Sequence, residues 1–299
     1  MRKNTVSVII PNFNGEKLLE KNLPFLLKAQ ADARNRIFEI IIVDDGSSDA
    51  SIKLITSKFP QIKLVKHKAN RGFSASVNTG VRAAKGDLMC LLNSDVVPED
   101  DFLEAVFLHF LNPKNFAVSL NEAGDFGWAR GFFTDGFIGH STGLKSQTPH
   151  DTFWVSGGSG VFRRSIWMEL GGMDEKLLSP FYWEDVDLCY RALKRGYGLI
   201  WEPNARVSHK HEVTISRLPK AYVQRILERN QLLLIWKNVT SPNLFRKHLI
   251  GLFKRLFKHP GYIRIILMAL GKIGLLTKAR NKEIKEAKIS DETIFSRFS

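Results

Sequence analysis

The stretch NRGFSASVNTGVRAAKGDLMCLLNSD, residues 70–95, decides the fold. Residues 74–85 repeat apolar side chains at helical spacing, and DLMCLL at 87–92 is a short apolar run of strand character. That run stops at Asn93, Ser94 and Asp95, so a buried strand delivers one carboxylate to its tip. Beyond it, Pro98 predicts a Pro-led helix start.

The same alternation extends towards the N-terminus. VSVII (6–10), EIIIV (39–43) and IKLV (62–65) are further β-rich runs, and residues 16–29 and 49–58 between them carry helical spacing. The second helix follows the capping candidates Ser47, Ser48 and Asp49. Strand, helix, strand, helix predicts an α/β fold with a mainly parallel central sheet and helices on both faces. Ligands of such sheets bind beyond the carboxyl ends of the strands. At those ends stand PNFNG, DDGSSD, NRGFSASVNTG and NSD, which would gather Asp44, Asp45 and Asp95 at one edge. Turn chemistry accounts for any one of these loops, but four in succession on one edge, two with acids, favour a ligand site.

Downstream, residues 121–151 are rich in glycine and aromatics without clear period and read as a long loop region, of the kind that forms lids or substrate platforms. FWVSGGSGVFRRSIWMELGGMDE reads as a strand with a glycine interruption and then a short helix. A helix is predicted from about Glu184 to Arg195, stopped by Gly196 and leading into another strand. From about Pro219 the chain is helical and basic.

Composition bounds the remaining choices. With 299 residues, 44% hydrophobic and 25% charged, the chain can bury a full core. We expect a catalytic domain over 1–218 and a helical appendage over 219–299. Cys90 and Cys189 are far apart and match no disulfide framework or metal spacing, which points to a reducing cytoplasm. The apolar run after Arg2 and Lys3 is too short for a signal peptide. The formal charge of +14 is unevenly placed: residues 1–205 hold 24 Lys/Arg against 24 Asp/Glu, and residues 206–299 hold 20 against 6. The tail lacks aromatic–basic interleaving, so nucleic acid is not expected as a partner.

Glu184, Asp185 and Asp187 open the helix at 184, where acids complement the helix dipole. A general base on a rigid element is the functional alternative, and Phe181, Tyr182 and Trp183 just before it would serve as a substrate wall. His209 is either a solvated histidine or a metal ligand, the latter if its strand end meets Asp95.

VSVIIPNFNG, EIIIVDDGSSD, NRGFSASVNTGVRAAKGDLMCLLNSD, SGGSGVFRR, LGGMDE and YWEDVDLCYRALKRGYGLIWEPNARVSHKH, in this order, closely resemble the inverting family 2 glycosyltransferases of GT-A fold. The likeness covers roughly residues 5–212 and is strongest to the rhamnosyltransferase-like subgroup that builds bacterial surface polysaccharides. It implies that Pro11, Asn12 and Asn14 lie by the nucleotide. Asp44 or Asp45 would contact uracil or thymine and ribose, with Gly46 and Ser47 shaping that loop. Asn70, Gly72 and Asn78 would line the nucleotide-sugar channel. Asp95 and His209 would hold a divalent metal, Mg2+ or Mn2+, Asp185 would be the catalytic base, and Glu184 would bind sugar hydroxyls. The family's Asp-x-Asp is here Asn93-Ser94-Asp95; Asn93 can still accept a hydrogen bond or offer its amide oxygen, and Asp95 brings the charge.

The resemblance further implies inverting displacement from a UDP- or dTDP-sugar onto a hydroxyl of a lipid-linked saccharide acceptor. The processive motif Gln-x-x-Arg-Trp has only QLLLIW (231–236) as counterpart, without its Arg, which predicts single additions. A two-metal phosphate-processing enzyme is the rival reading and would want clustered carboxylates with basic residues near them; a non-catalytic sugar-binding relative would want Asp95 or Asp185 lost. In the tail, 244–276 mixes Leu, Ile and Phe with Arg and Lys, and its longest uncharged stretch near the end is far short of the roughly 20 residues a span needs. We expect it to lie on an anionic membrane surface at the cytoplasmic face. A homo-oligomer contact is the alternative for the same tail.

Overall fold

A computed structural model of the chain describes residues 4–123, 127–144, 146–209 and 218–298. It begins as β1 (Val6–Asn12), α1 (Glu16–Ala31), β2 (Ile37–Asp44), α2 (Ser51–Lys58), β3 (Lys63–Lys66), α3 (Phe73–Ala83) and β4 (Leu88–Leu92). There follow β5 (Val96–Pro98), α4 (Val106–His109), β6 (Asn115–Glu122), β7 (Ala129–Thr134), β8 (Phe137–Thr142), β9 (His150–Asp151), β10 (Ser159–Arg163) and α5 (Arg164–Leu170). The rest is α6 (Glu184–Lys194), β11 (Gly198–His209), α7 (Lys220–Asn238), α8 (Pro242–Lys258), α9 (Ile263–Leu270), α10 (Ile273–Glu286) and α11 (Asp291–Phe298).

The main sheet has the order β3-β2-β1-β4-β10-β6-β11-β5. Strands β3, β2, β1 and β4 are mutually parallel, and β10 enters antiparallel between β4 and β6. β11 is parallel to β6, while β5 and β9 pair antiparallel with β11. Both faces are covered, and for that reason the strands read as continuous apolar runs. Ile9, Ile41, Val43, Met89 and Leu91 point into one buried cluster with Val77 and Val81 of α3. Val8, Ile10, Ile40, Ile42, Cys90 and Leu92, one residue out of phase, point into the other with Leu19, Leu23 and Leu26 of α1.

Two expectations are corrected. Val96, Val97 and Pro98 form edge strand β5 instead of a helix start, as β-branched residues and an edge Pro allow. Within 121–151 the chain completes β6 and then builds the β7–β8 hairpin. Its turn, Asp135-Gly136, has φ of 54° and 86°, the two left-handed residues of a tight hairpin turn.

The expected division at 218/219 lies beside residues 210–217, which are outside the described residues. Past it, Leu232, Leu233, Leu234 and Ile235 of α7 are fully buried in the same cluster as Ile9, Val77 and Leu91. α8 and α9 instead leave Leu249, Ile250, Phe253, Phe257, Ile263 and Leu267 exposed, and α10 leaves Ile273 and Leu275. No single helix among the described residues is long and apolar enough to cross a membrane; Pro260–Leu270 with Ile273–Glu286 passes by length and composition together, but bends by 74°.

Candidate active site

The carboxyl ends of β1, β2, β4, β6 and β11 meet the start of β10 and the first turn of α6. The pairing of β5 with β11 sets Val96 opposite His209, which brings Asp95 to His209 across more than a hundred residues of sequence. His209 Nε2 is 3.2 Å from Asp95 Oδ1, and its Nδ1 is 2.9 Å from Glu122 Oε1. Burial disfavours the imidazolium, but hydrogen bonds to Asp95 and Glu122 outweigh that and raise the His209 pKa to about 9.

Three consecutive residues at the start of β10 tie the edge together. Gly157 N–H donates to Asp185 Oδ2 at 3.3 Å. The Gly158 carbonyl accepts from Asn93 N–H at 2.9 Å. Ser159 Oγ donates to Glu122 Oε1 at 2.5 Å. A Cβ on Gly158 would stand 2.4 Å from Asn93 Nδ2, so a larger residue here would displace the Asn93 side chain.

The three acids of α6 divide into different roles. Asp187 is fully buried and accepts from Arg191 Nε, Lys237 Nζ and Asn238 Nδ2 at 2.8–2.9 Å. Burial raises its pKa, but Lys237 and Arg191 prevail and bring it down to about 2. It is a structural anion. Glu184 is 7% exposed, its Oε2 has no hydrogen-bond partner among the described residues, and burial with the neighbouring Asp185 pushes it up to about 8. Asp185 is part-exposed; burial raises its pKa against hydrogen bonds from the Val186 and Gly157 amides. Burial thus pushes both carboxyls of this adjacent pair towards their neutral forms.

The wall before α6 is held in unusual backbone. Tyr182 and Trp183 have φ of 71° and 73°. Asn230 of α7 donates to the carbonyls of Phe181 and Tyr182 at 2.9 and 3.0 Å, and Trp183 Nε1 donates to the Leu227 carbonyl at 3.1 Å. Strained residues persist only where surroundings over-determine them, and here α7 does so. Trp183, His140 of β8 and Trp154 form a row of rings, 5.6 and 5.0 Å apart between centroids.

On the other side, Asn12, Asn14, Asp44, Asp45 and Ser47 hydrogen-bond one another and their loops. Asp44 accepts from Asn12 Nδ2 and Ser47 N–H, each at 3.0 Å. Asn14 Oδ1 accepts from Ser48 N–H at 2.8 Å. Asp45 accepts from the Arg71 and Gly72 amides and sits 2.6 Å from His67 Nδ1. Gly46 packs against Ala69 and Asn70, and Pro11 lies opposite Val43 in the β1–β2 pair. Asn70 is exposed on the same loop. Asn78 differs: both its amide hydrogens and its oxygen are engaged by Met173 and Glu175, so it anchors the 171–175 turn. Among the described residues there is no cluster of three or more His, Cys, Asp or Glu disposed to hold a metal. Asp95 with His209 Nε2 nonetheless suits a divalent ion that takes its remaining ligands from a substrate, and Glu122 fixes the imidazole from behind.

Glu122, Ser159, Gly157 and His67 were missed by sequence reasoning. Glu122 was recoverable, as an acid at the end of an apolar strand run, FAVSL; Ser159 and His67 carry no signal of their own.

The Glycosyl transferase family 2 model matches residues 7–171. The chain belongs to family 2 of the glycosyltransferases. It is 31% identical over 217 residues to the pre-mycofactocin glycosyltransferase of Mycobacterium tuberculosis, covering 70% of this chain and 43% of that protein. It is 34% identical over 103 residues to the dolichyl-phosphate beta-glucosyltransferase of Dictyostelium discoideum, 31% of this chain and 32% of that one. This family 2 chain thus spans less than half the length of the first of these relatives. Among solved structures, GalNAc-T7 with UDP, GalNAc and Mn2+ superposes with a TM-score of 0.68 at 16% identity, over 87% of this chain and 57% of that one. The mannosyltransferase PcManGT of Pyrobaculum calidifontis, in complex with GDP-Man and Mn2+, gives 0.57 at 17% identity, over 96% and 84%. The fold is the expected GT-A fold.

Proposed function

We propose that this chain transfers a sugar from a nucleotide-sugar, UDP- or dTDP-linked, to a hydroxyl of a saccharide acceptor, with inversion and one addition per encounter. The observation that carries the reading is the Gly157-Gly158-Ser159 segment, whose successive residues hold Asp185, Asn93 and Glu122. It sets a base on one side and an Asp–His pair on the other at a common edge. Asp185 takes the proton of the attacking hydroxyl as the new O–C1 bond forms and the C1–O bond to the diphosphate breaks. The leaving nucleoside diphosphate departs with the electron pair. Asp95 and His209 Nε2 would hold a divalent ion, Mg2+ or Mn2+, which supplies charge neutralisation to that leaving group. Glu184, neutral below about pH 8, can donate a hydrogen bond to a sugar oxygen without repelling the base. The UDP, GalNAc and Mn2+ bound in GalNAc-T7 and the GDP-Man and Mn2+ bound in PcManGT support a nucleotide-sugar donor and a divalent ion. A panel of nucleotide-sugars scored for hydrolysis with Mg2+ or Mn2+ tests it: one sugar class should be hydrolysed only with metal, and failure of every donor would refute the reading.

The same reading places the chain peripherally on the cytoplasmic membrane face, where a lipid-linked saccharide in polysaccharide synthesis would be met. Phe253 and Phe257 of α8, 71% and 83% exposed, beside the exposed Lys254 and Lys258, support this as an interfacial surface. Replacing both Phe by Ser should weaken co-sedimentation with anionic liposomes at least tenfold; unchanged binding would point instead to an oligomer contact.

A further inference from the structure

Between α7 and the corner joining α8 to α9 lies an open cavity of about 740 Å³. Arg225, Arg255, His259 and Arg264 line it, with Glu228 as its one carboxylate and Tyr262 among its walls. Glu228 accepts from Gln224, one helical turn away. Arg255 stacks on Phe137 at 3.6 Å and on Tyr262 at 5.3 Å, which fixes the guanidinium without neutralising it. Among the described residues none of the three arginines has a carboxylate partner. Of the buried cations, Arg191, Lys194, Arg195 and Lys237 do, while Arg229 is met by the Asn230 amide oxygen and the Ser179 carbonyl. Three arginines lining one cavity offer a bound anion complementary charge, and arginine's planar fork matches phosphate oxygens in particular.

Two further observations say which anion. The rim at His259 and Arg264 lies within two residues of the exposed Phe257 and Ile263, so the mouth opens beside the apolar surface. The opposite wall includes Leu227, whose carbonyl holds the Trp183 indole immediately before Glu184 and Asp185. A phosphate bound here sits between an apolar surface and the wall of the candidate active site. We propose that this cavity binds the phosphate or diphosphate of a lipid-linked acceptor. The proposal rests on the transferase reading for the word acceptor, and on the cavity alone for the phosphate.

The test uses the full chain and the double variant Arg225→Gln/Arg264→Gln. Both side chains are exposed and neither belongs to the catalytic edge. The probes are phosphatidylcholine vesicles carrying a polyprenyl phosphate, vesicles of equal charge density carrying phosphatidylglycerol, and inorganic pyrophosphate. The wild type should bind polyprenyl phosphate vesicles at least tenfold more tightly than phosphatidylglycerol vesicles, pyrophosphate should compete, and the double variant should lose the preference. No preference in the wild type, or a preference kept in the variant, overturns the proposal. Pyrophosphate binding that the variant loses while its vesicle preference survives would assign the cavity to a soluble anion and overturn the lipid assignment. Charge reversal, Arg225→Glu, checks the same loss with a second variant. Donor hydrolysis in the same preparations separates the two readings: the variant should retain it, and a wild type with vesicle preference but no hydrolysis would sink the transferase reading and leave the cavity assignment standing.

Discussion

Glu184→Gln keeps the shape of the buried side chain and removes its titration. Glu184 is raised from an ordinary 4.5 to about 8, first by burial and then by Asp185, so the folded protein favours its protonated form. The folded pKa lies above the unfolded one, so this stabilisation is complete below about pH 4.5 and is lost as pH climbs towards 8. At about 1.4 kcal/mol per pH unit, 3.5 units amount to roughly 5 kcal/mol, and the part lying between pH 5.5 and 8 to about 3 kcal/mol. Glutamine at 184 should be insensitive to this window. Urea unfolding of both proteins at pH 5.5 and pH 8.5 reads the effect as a change in their stability difference, which cancels every titration except those of residue 184 and of Asp185 beside it. The variant should gain about 3 kcal/mol relative to wild type on going to the higher pH. A paired change below about 1 kcal/mol would mean that Glu184 is ionised in the folded protein, and the separation of roles between 184 and 185 would fail with it.

Asp185→Asn should lower sugar transfer by about two to four powers of ten while calorimetric binding of the nucleotide stays within threefold; near-normal turnover would hand the role of base to Glu184. Asp95→Ala should abolish metal-dependent binding of UDP or dTDP and His209→Ala should weaken it, both judged against chelator-treated wild type; unchanged binding in both would remove the ion from this edge. Asp291→Ala leaves the fully buried Lys194 ammonium without its ion-pair partner at 2.8 Å, and should cost about 3–5 kcal/mol in urea unfolding; a loss under about 1 kcal/mol would show that Asn238 and Thr240 suffice.

The parallel half of the sheet was legible because each of its strands is covered on both faces. Ile9 and Val8 face opposite clusters, so the sequence had to be apolar at both, and a run such as DLMCLL has no competing interpretation once turn residues bound it. The β7–β8 hairpin was not read, although Asp135-Gly136 is a strong hairpin signal, because its strands alternate small, aromatic and polar residues over only six positions each. Edge strand β5 was hidden by Pro98, which a helix start tolerates as readily as a sheet edge does. At the site, Asp95 and Asp185 were legible from their positions at element ends. Glu122 could have been read the same way, at the end of FAVSL; Ser159 could not, since its part depends on β10 running antiparallel between β4 and β6, and no local pattern encodes that insertion.

The basic C-terminal third shows where counting charges stops being informative. Lys194 and Arg195 sit at the end of the helix that carries Asp185, and their partners Asp291, Glu283 and Glu286 lie about 90 residues further on. In the sequence these five look like solvated surface charges. In the structure Lys194 is fully buried, its ammonium also donating to the Asn238 carbonyl at 2.9 Å, and Arg195 is closed over by two glutamates. Lys237 of α7 reaches Asp187 in the first turn of the same helix, so both ends of α6 are fixed by residues beyond 219. The helices of the last third therefore have two separate faces with different physics. Their inner face, with paired charges and buried leucines, holds α6 in place; their outer face carries exposed Phe253 and Phe257 beside exposed Lys254 and Lys258 and is free to meet a surface. Removing the helices would change both at once, and so the membrane question has to be asked with substitutions on the outer face alone.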